Sequence, residues 1–385
     1  MKKAVWIILL IIIFSVGCRK DEENKVYQPY LKTGEFRGEY YPTLKWRECK
    51  PESVGFDSVK LKRVYDYAAN PDIKTQALII IRRGYIFFEV YLNNFTKDSG
   101  HYSYSVAKSF SSALIGIAYY DKLIDSLDDK IYDYYPKYKE LFEGNDSSLK
   151  KEITIRNLLT MTSGLQWNEE NYSIPENDAF IMIDDSDDYF NYILSKPMRY
   201  PPGTDWNYSS GDSMLLSGII EKATGSSPFE YAKKKIFGKI GIKNITWETD
   251  KAGHTITAWG IKTTARNFAK FGYLYLKNGI WENKPIIDKR WIKESLIPVS
   301  KRYPEELSSI DFYGYQWWLL PALENYRNYD IPPKTYLSWG RYTQQIFIIP
   351  EKEIIIIRLA HDTDYQRDDW REAEFLSIVL KCLNN

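Results

Sequence analysis

Residues 101–110, "HYSYSVAKSF", set a lysine three places after a serine at the head of an apolar run. That run, "VAKSFSSALIGIAYYDKL", repeats its apolar residues with a helical period, so Ser105 falls at or near a helix N-terminus. Residues three apart share a helix face, which brings the Lys108 amine beside the Ser105 hydroxyl. A hydroxyl is a poor nucleophile at neutral pH, and a desolvated lysine with a lowered pKa can take its proton. The helix start adds free N–H groups and partial positive charge where an oxyanion would develop. In isolation the pair has a second reading, because Ser-x-x-Lys is a common string and Ser105 also suits a plain N-cap.

Working outward, "QALIIIRRGYIFFEVYLN" is two β-rich runs around Arg83-Gly84, a hairpin pattern, and "QQIFIIPEKEIIIIRLAHD" repeats it around "PEKE" near the other end. "SVGFDSVKLKRVYDYAAN" before the first hairpin and "DDWREAEFLSIVLKCLN" after the second have helical periods. The middle is rich in helical patterns such as "ITIRNLLTMTSGL" and poor in strand signals. The expected fold is therefore α+β, with an antiparallel sheet flanked by N- and C-terminal helices and a mostly helical domain inserted in it. The expected boundaries are residues 51–124 with 251–385 for the sheet domain and 125–250 for the helical one.

The chain's 385 residues, 44% of them hydrophobic, are enough to bury a full core. A net charge of +1, with no basic stripe among aromatics, gives nucleic acid nothing to bind. Residues 1–17 read as a signal peptide: Lys2 and Lys3 precede "AVWIILLIIIFSV", a run too short to span a bilayer comfortably. "SVGC" then ends at Cys18 as in a bacterial lipobox, with Ser15 in place of the usual leucine. "CRKDEE" resembles the export signal of surface lipoproteins in Bacteroidetes-type bacteria. The expectation is a lipid-anchored, monomeric envelope protein, on the outer-membrane surface or in the periplasm, with residues 18–50 as its tether. An ordinary secreted protein with a chance cysteine is the alternative. Lipidation of Cys18 would leave Cys49 and Cys382 either to pair or to remain as buried thiols.

Two further stretches bear on Ser105. "PPGTDWNYSSGDSMLLSGIIEKATG" puts Tyr208 and Ser210 in a turn before a helix, where side chains point into clefts. Tyr208 would serve as a phenolate base beside the Lys108 cation, or else simply pack. "YLSWGRYTQQIFIIP" puts Gly340 just ahead of a strand, where bare backbone admits a substrate and its N–H groups reach an oxyanion.

These stretches, with "SLDDKIYDYYPKY", "GIKTTARNFAKFGYLYLKNGIW" and "YGYQWW" in the same order, resemble the serine β-lactamase and penicillin-binding-protein-like superfamily. The resemblance lies with its class C β-lactamase, esterase and 6-aminohexanoate-dimer-hydrolase branch, from about residue 50 to the C-terminus. Ser105 and Lys108 match the family's first motif, and Tyr208 and Ser210 its second. The third, Lys-Thr-Gly or His-x-Gly, stands here as Ser338-Trp339-Gly340. The lost ammonium argues against holding a β-lactam carboxylate, unless Arg341 supplies the cation. Met161 replaces a frequent histidine and is read as packing.

The resemblance implies a serine hydrolase working through an acyl-enzyme on a small ester, amide or peptide, without cofactor or metal. Ser105 attacks, Lys108 and Tyr208 act as base, Ser210 holds Lys108 or the substrate amide, and Trp339, Gly340 and Arg341 border the substrate and oxyanion. A D,D-peptidase or β-lactamase would share every motif. A catalytically silent surface protein, binding peptide or glycan between Trp167, Trp206, Trp259, Trp317, Trp318 and Trp339, is the reading from another class. Other catalysts are weakly supported: His101, His254 and His361 are the only imidazoles, no Gly-x-Ser-x-Gly elbow precedes His361-Asp362, and no His-x-x-x-His or Cys-x-x-Cys spacing occurs. The acidic run "QWNEENYSIPENDAFIMIDDSDDYF" reads as a pocket-shaping loop with a solvated face.

Overall fold

The computed structural model describes residues 28–169, 174–360 and 370–384. The signal sequence, Cys18 and His361-Asp362 lie outside them.

A seven-stranded sheet carries the molecule: β1 (Arg47–Glu48), β2 (Thr75–Arg82), β3 (Tyr85–Tyr91), β4 (Trp318–Leu319), β5 (Tyr336–Gly340), β6 (Gln344–Ile349) and β7 (Ile354–Ala360). Their spatial order is β1-β3-β2-β7-β6-β5-β4, antiparallel throughout except for the parallel β1–β3 edge. The two hairpins read from the sequence thus meet at β2–β7, in a register that pairs Ile79 with Ile357 and Ile81 with Ile355. The first hairpin turns through Arg83 and Gly84, both at positive φ (51° and 84°), which matches the right-handed strand twist. A Cβ on Gly84 would also lie 2.7 Å from the Tyr273 hydroxyl.

Both sheet faces are covered, so the central strands are apolar on both sides instead of alternating. On one face Leu78, Ile80, Phe347 and Ile356 pack with the flanking helices α1 (Leu61–Ala68) and, as the last helix in the chain, α6 (Glu372–Leu380). Helix α1 buries Leu61, Val64 and Ala68, spaced as one helical stripe. On the other face Ile79, Ile81, Ile346, Ile355 and Ile357 meet α2 (Ala107–Tyr120) and α5 (Ala265–Leu276), and the same core continues into the helical region. That region holds α3 (Ile155–Thr160) and α4 (Ser210–Thr224), with α4 packed along α2.

The tether reading of residues 18–50 is corrected from Gln28 onward. Tyr30 stacks on Tyr65 with centroids 4.4 Å apart, Trp46 is buried and donates to Arg266 O at 3.0 Å, and β1 extends the sheet. These anchors are spaced too irregularly to show a period. Cys49 and Cys382 are both free and buried, and burial pushes their thiols up to about 12 and about 11. Among the described residues no helix is long and apolar enough to cross a membrane.

Candidate active site

The strand Gly100–Tyr102 pairs with Ile261–Thr264 and delivers the chain into a single 3₁₀ turn, Tyr104–Val106, from which α2 continues. Tyr104 is held at φ 44°, a left-handed conformation that costs about 1 kcal/mol or more in a residue with a Cβ. Ser103 holds the turn in place, its N–H donating to Ile261 O at 2.7 Å and its hydroxyl to Tyr104 O at 2.9 Å. Ser105 lies in this turn and Lys108 in the first turn of α2, three residues on and so on the same face.

Lys108 is only 2% exposed. As an ammonium it donates to Ser105 Oγ at 3.0 Å, Ser210 Oγ at 3.0 Å and Ala258 O at 3.1 Å. Burial pushes its pKa down to about 8, against the opposing pull of the Glu169 carboxylate. Neutral amine is therefore accessible near physiological pH, within hydrogen-bonding distance of a hydroxyl.

Tyr208 and Ser210 arrive together at the start of α4, where Ser209 is the N-cap and accepts from Asp212 N at 2.9 Å. The Lys108 Nζ lies 5.1 Å from the centre of the Tyr208 ring, which also stacks on Trp318 at 5.9 Å. Met161, in place of the family histidine, closes α3 at φ 61°, and its sulfur accepts from Ser209 N at 3.4 Å. It supports the Tyr208 loop from behind.

Gly340 ends β5 rather than preceding a strand, because the turn Arg341–Thr343 separates it from β6. It also lies against the Ser105 turn: a Cβ there would overlap Ser103 O and lie 3.1 Å from Ser105 N. Glycine at this point lets the strand end lie against the Ser105 amide. Ser338 does not face a substrate; its hydroxyl is buried against α2, 2.8 Å from Ser109 Oγ and donating to Val106 O at 3.2 Å. Trp339 meets Trp318 edge-on at 5.7 Å. Trp206 and Phe312 extend the same aromatic wall, 6.2 Å from Trp318 in each case. Of the other tryptophans named above, Trp317 and Trp167 are buried and Trp259 packs at the edge of the core. The Arg341 guanidinium lies over Phe180 and Tyr342, at 4.9 and 4.7 Å, and Tyr342 in turn meets Tyr104 at 5.2 Å.

Glu169 belongs to the site, although the acidic run containing it reads as solvated. It is buried, accepts Ser210 Oγ at 2.7 Å on one oxygen, and accepts Ser210 N and Trp167 Nε1, each at 2.7 Å, on the other. Nothing local marks it apart from its neighbour Trp167. The described imidazoles are engaged elsewhere: His101 packs on Phe95 and burial drops its pKa to about 4, and His254 faces Glu221 at 3.3 Å. Asp188, Asp250 and His254 lie close enough together for a metal ion, but both carboxylates already accept backbone N–H groups, Asp188 from Phe190 and Asn191 and Asp250 from Tyr189 and His254.

The family model described as Beta-lactamase matches residues 63–379. The 6-aminohexanoate-dimer hydrolase of Paenarthrobacter ureafaciens is 22% identical over 330 residues, covering 80% of this chain and 79% of that protein. In three dimensions a family VIII carboxylesterase superposes with a TM-score of 0.62 at 14% identity, over 84% of this chain and 97% of its own. A D-alanine carboxypeptidase from Burkholderia cenocepacia gives 0.57 at 16% identity, over 85% and 99%. The match runs from one flanking helix to the other and takes in the Ser105–Lys108 turn, the Tyr208 loop and the Gly340 strand end, so the chain belongs to the beta-lactamase family.

Proposed function

We propose that this hydrolase acts through an acyl-enzyme on small, uncharged esters and amides, with Ser105 as nucleophile and Lys108 and Tyr208 as its bases. The observation that carries the reading is the buried Lys108 amine, lowered to about 8 and 3.0 Å from Ser105 Oγ. Ser105 gives its proton to that pair and attacks the carbonyl carbon. The oxyanion is held by the Ser105 N–H and by backbone N–H at the end of β5. Tyr208 protonates the leaving group and later helps activate the water that frees the acyl group.

The preference for uncharged substrates rests on the third motif. Ser338 is turned into the core and Trp339 joins an aromatic wall, so neither supplies a cation to a carboxylate. Loss of such a charge-assisted bond costs about 1–3 kcal/mol. Arg341, close to Tyr104, favours a cell-wall peptidase, which must hold a terminal carboxylate. A panel of p-nitrophenyl acetate, nitrocefin, D-Ala-D-Ala peptides and linear amides separates the two readings. The expected order has p-nitrophenyl acetate with the highest kcat/KM; a higher value for nitrocefin or the peptides would turn the assignment to Arg341.

The "SVGC" motif supports a lipid anchor at Cys18 and an envelope location. Cys18→Ser is expected to move the protein from membranes to the soluble fraction, and retention on membranes would refute the anchor.

A further inference from the structure

The partners of Lys108 differ in what they can accept and donate. Ala258 O, at 3.1 Å, can only accept. A serine hydroxyl can do either, so the role of Ser210 Oγ, at 3.0 Å, depends on where its single proton points. That proton goes to Glu169 Oε1 at 2.7 Å, and Glu169 Oε2 is held in place by the Ser210 and Trp167 N–H groups. Toward Lys108, Ser210 Oγ is left as an acceptor. A neutral amine has two N–H bonds and one lone pair. With both N–H bonds directed to Ala258 O and Ser210 Oγ, the lone pair is left for the third neighbour, Ser105 Oγ at 3.0 Å.

We propose that Glu169 is a positioning residue which, through Ser210, aims the lone pair of the Lys108 amine at the Ser105 hydroxyl. The inference rests on the assignment of Ser105 and Lys108 as nucleophile and base. In the step it serves, the Ser105 O–H bond breaks and its proton joins the lone pair. The oxygen electron pair goes to the substrate carbonyl carbon, and the carbonyl π pair moves to oxygen. The resulting ammonium keeps Ala258 O and Ser210 Oγ as acceptors. Glu169, from the loop after α3, is the carboxylate whose charge acts on Lys108. Tyr208 faces the lysine with its ring. Asp212 on α4 is bonded to Ser163 Oγ at 2.7 Å, and Tyr313 is buried in the aromatic wall.

Glu169→Gln tests the idea with little change of shape. Its amide oxygen would take the two N–H donors, which sets the amide nitrogen against Ser210 Oγ and frees the Ser210 proton to occupy the Lys108 lone pair. The expected result is an acylation rate by p-nitrophenyl acetate about 10²-fold lower on the high-pH plateau. The acid limb should also move to lower pH, because a carboxylate that raises the lysine pKa is gone. Glu169→Asp should restore the limb and part of the rate. In a Ser210→Ala background the Gln change should cost no further plateau rate, whereas a packing role would persist there. A wild-type rate in Glu169→Gln, or an equal loss in both backgrounds, overturns the proposal. If the Gln variant does not fold, Ser210→Ala alone decides: a tenfold or greater loss of plateau rate supports the relay, and an unchanged rate overturns it. Failure of the wild type to be labelled at Ser105 by a fluorophosphonate would instead remove the nucleophile assignment, and this inference with it.

Discussion

A lysine with almost no exposed surface is in its neutral form more often than one in water, and the proposed proton transfer from Ser105 requires Lys108 in that form. With its pKa pushed down to about 8, the neutral fraction grows as pH rises through that value. Acylation should therefore climb through about pH 8 and level off above it, and Lys108→Ala should lose the limb together with about 10²-fold or more of the rate. A pH profile of p-nitrophenyl acetate burst rates checks both. Gly340 permits a second test at this scale. Gly340→Val should leave the sheet folded by circular dichroism yet cut acylation about 10²-fold, since the new side chain would displace the Ser103–Ser105 turn from the strand end. Rates equal to wild type would separate β5 from the oxyanion. That Ser105, Lys108, Tyr208 and Ser210 lie together was legible in the sequence, because each sits in a short local signal, a helix start or a Pro-Gly-flanked loop. Glu169 was not, since its burial is created by Trp167 and by α4, more than 40 residues downstream.

The elements tell a similar story about range. Strands β2 and β7 could be read as buried hairpin arms because their isoleucines run without interruption, and the sheet joins them side by side. The N-terminal edge could not, as its contacts are single residues reaching distant partners. One of these is a buried charge cluster in which Glu89 accepts from Arg266 at 2.7 and 2.6 Å and pairs with Lys32 at 2.6 Å. Burial works against the Glu89 carboxylate, but Arg266 and Lys32 outweigh it and hold its pKa at about 2, below the usual 4.5. A depressed pKa contributes stability that is present above the unfolded value and lost as pH falls through the folded one, here between about 4.5 and 2. Arg266→Met should lower stability at pH 7 by about 3 kcal/mol and flatten the decline of Tm across that acid range. Thermal melts from pH 7 to pH 2.5 measure it; an unchanged acid slope would show that Lys32 suffices.

At the scale of the molecule, the sheet domain and the helical region converge on one short turn: the Gly340 end of β5 lies against it, and Ser210 at the start of α4 reaches Lys108 beside it. The aromatic wall above that turn has an optical consequence. Trp318 stacks on Tyr208 at 5.9 Å and lies within 6.2 Å of both Trp206 and Trp339, so three indoles are near enough for their electronic transitions to couple. Such a cluster gives a near-ultraviolet dichroic signature of its own and an emission that responds to whatever occupies the space beside Tyr208. Formation of the acyl-enzyme should appear as a change in tryptophan fluorescence at the rate of p-nitrophenol release, and Trp318→Phe should remove most of it while Trp281, buried far along the chain in the core, continues to emit. Stopped-flow traces recorded in parallel at both wavelengths make the comparison, and the protein thereby carries a built-in reporter for substrates that release no colour.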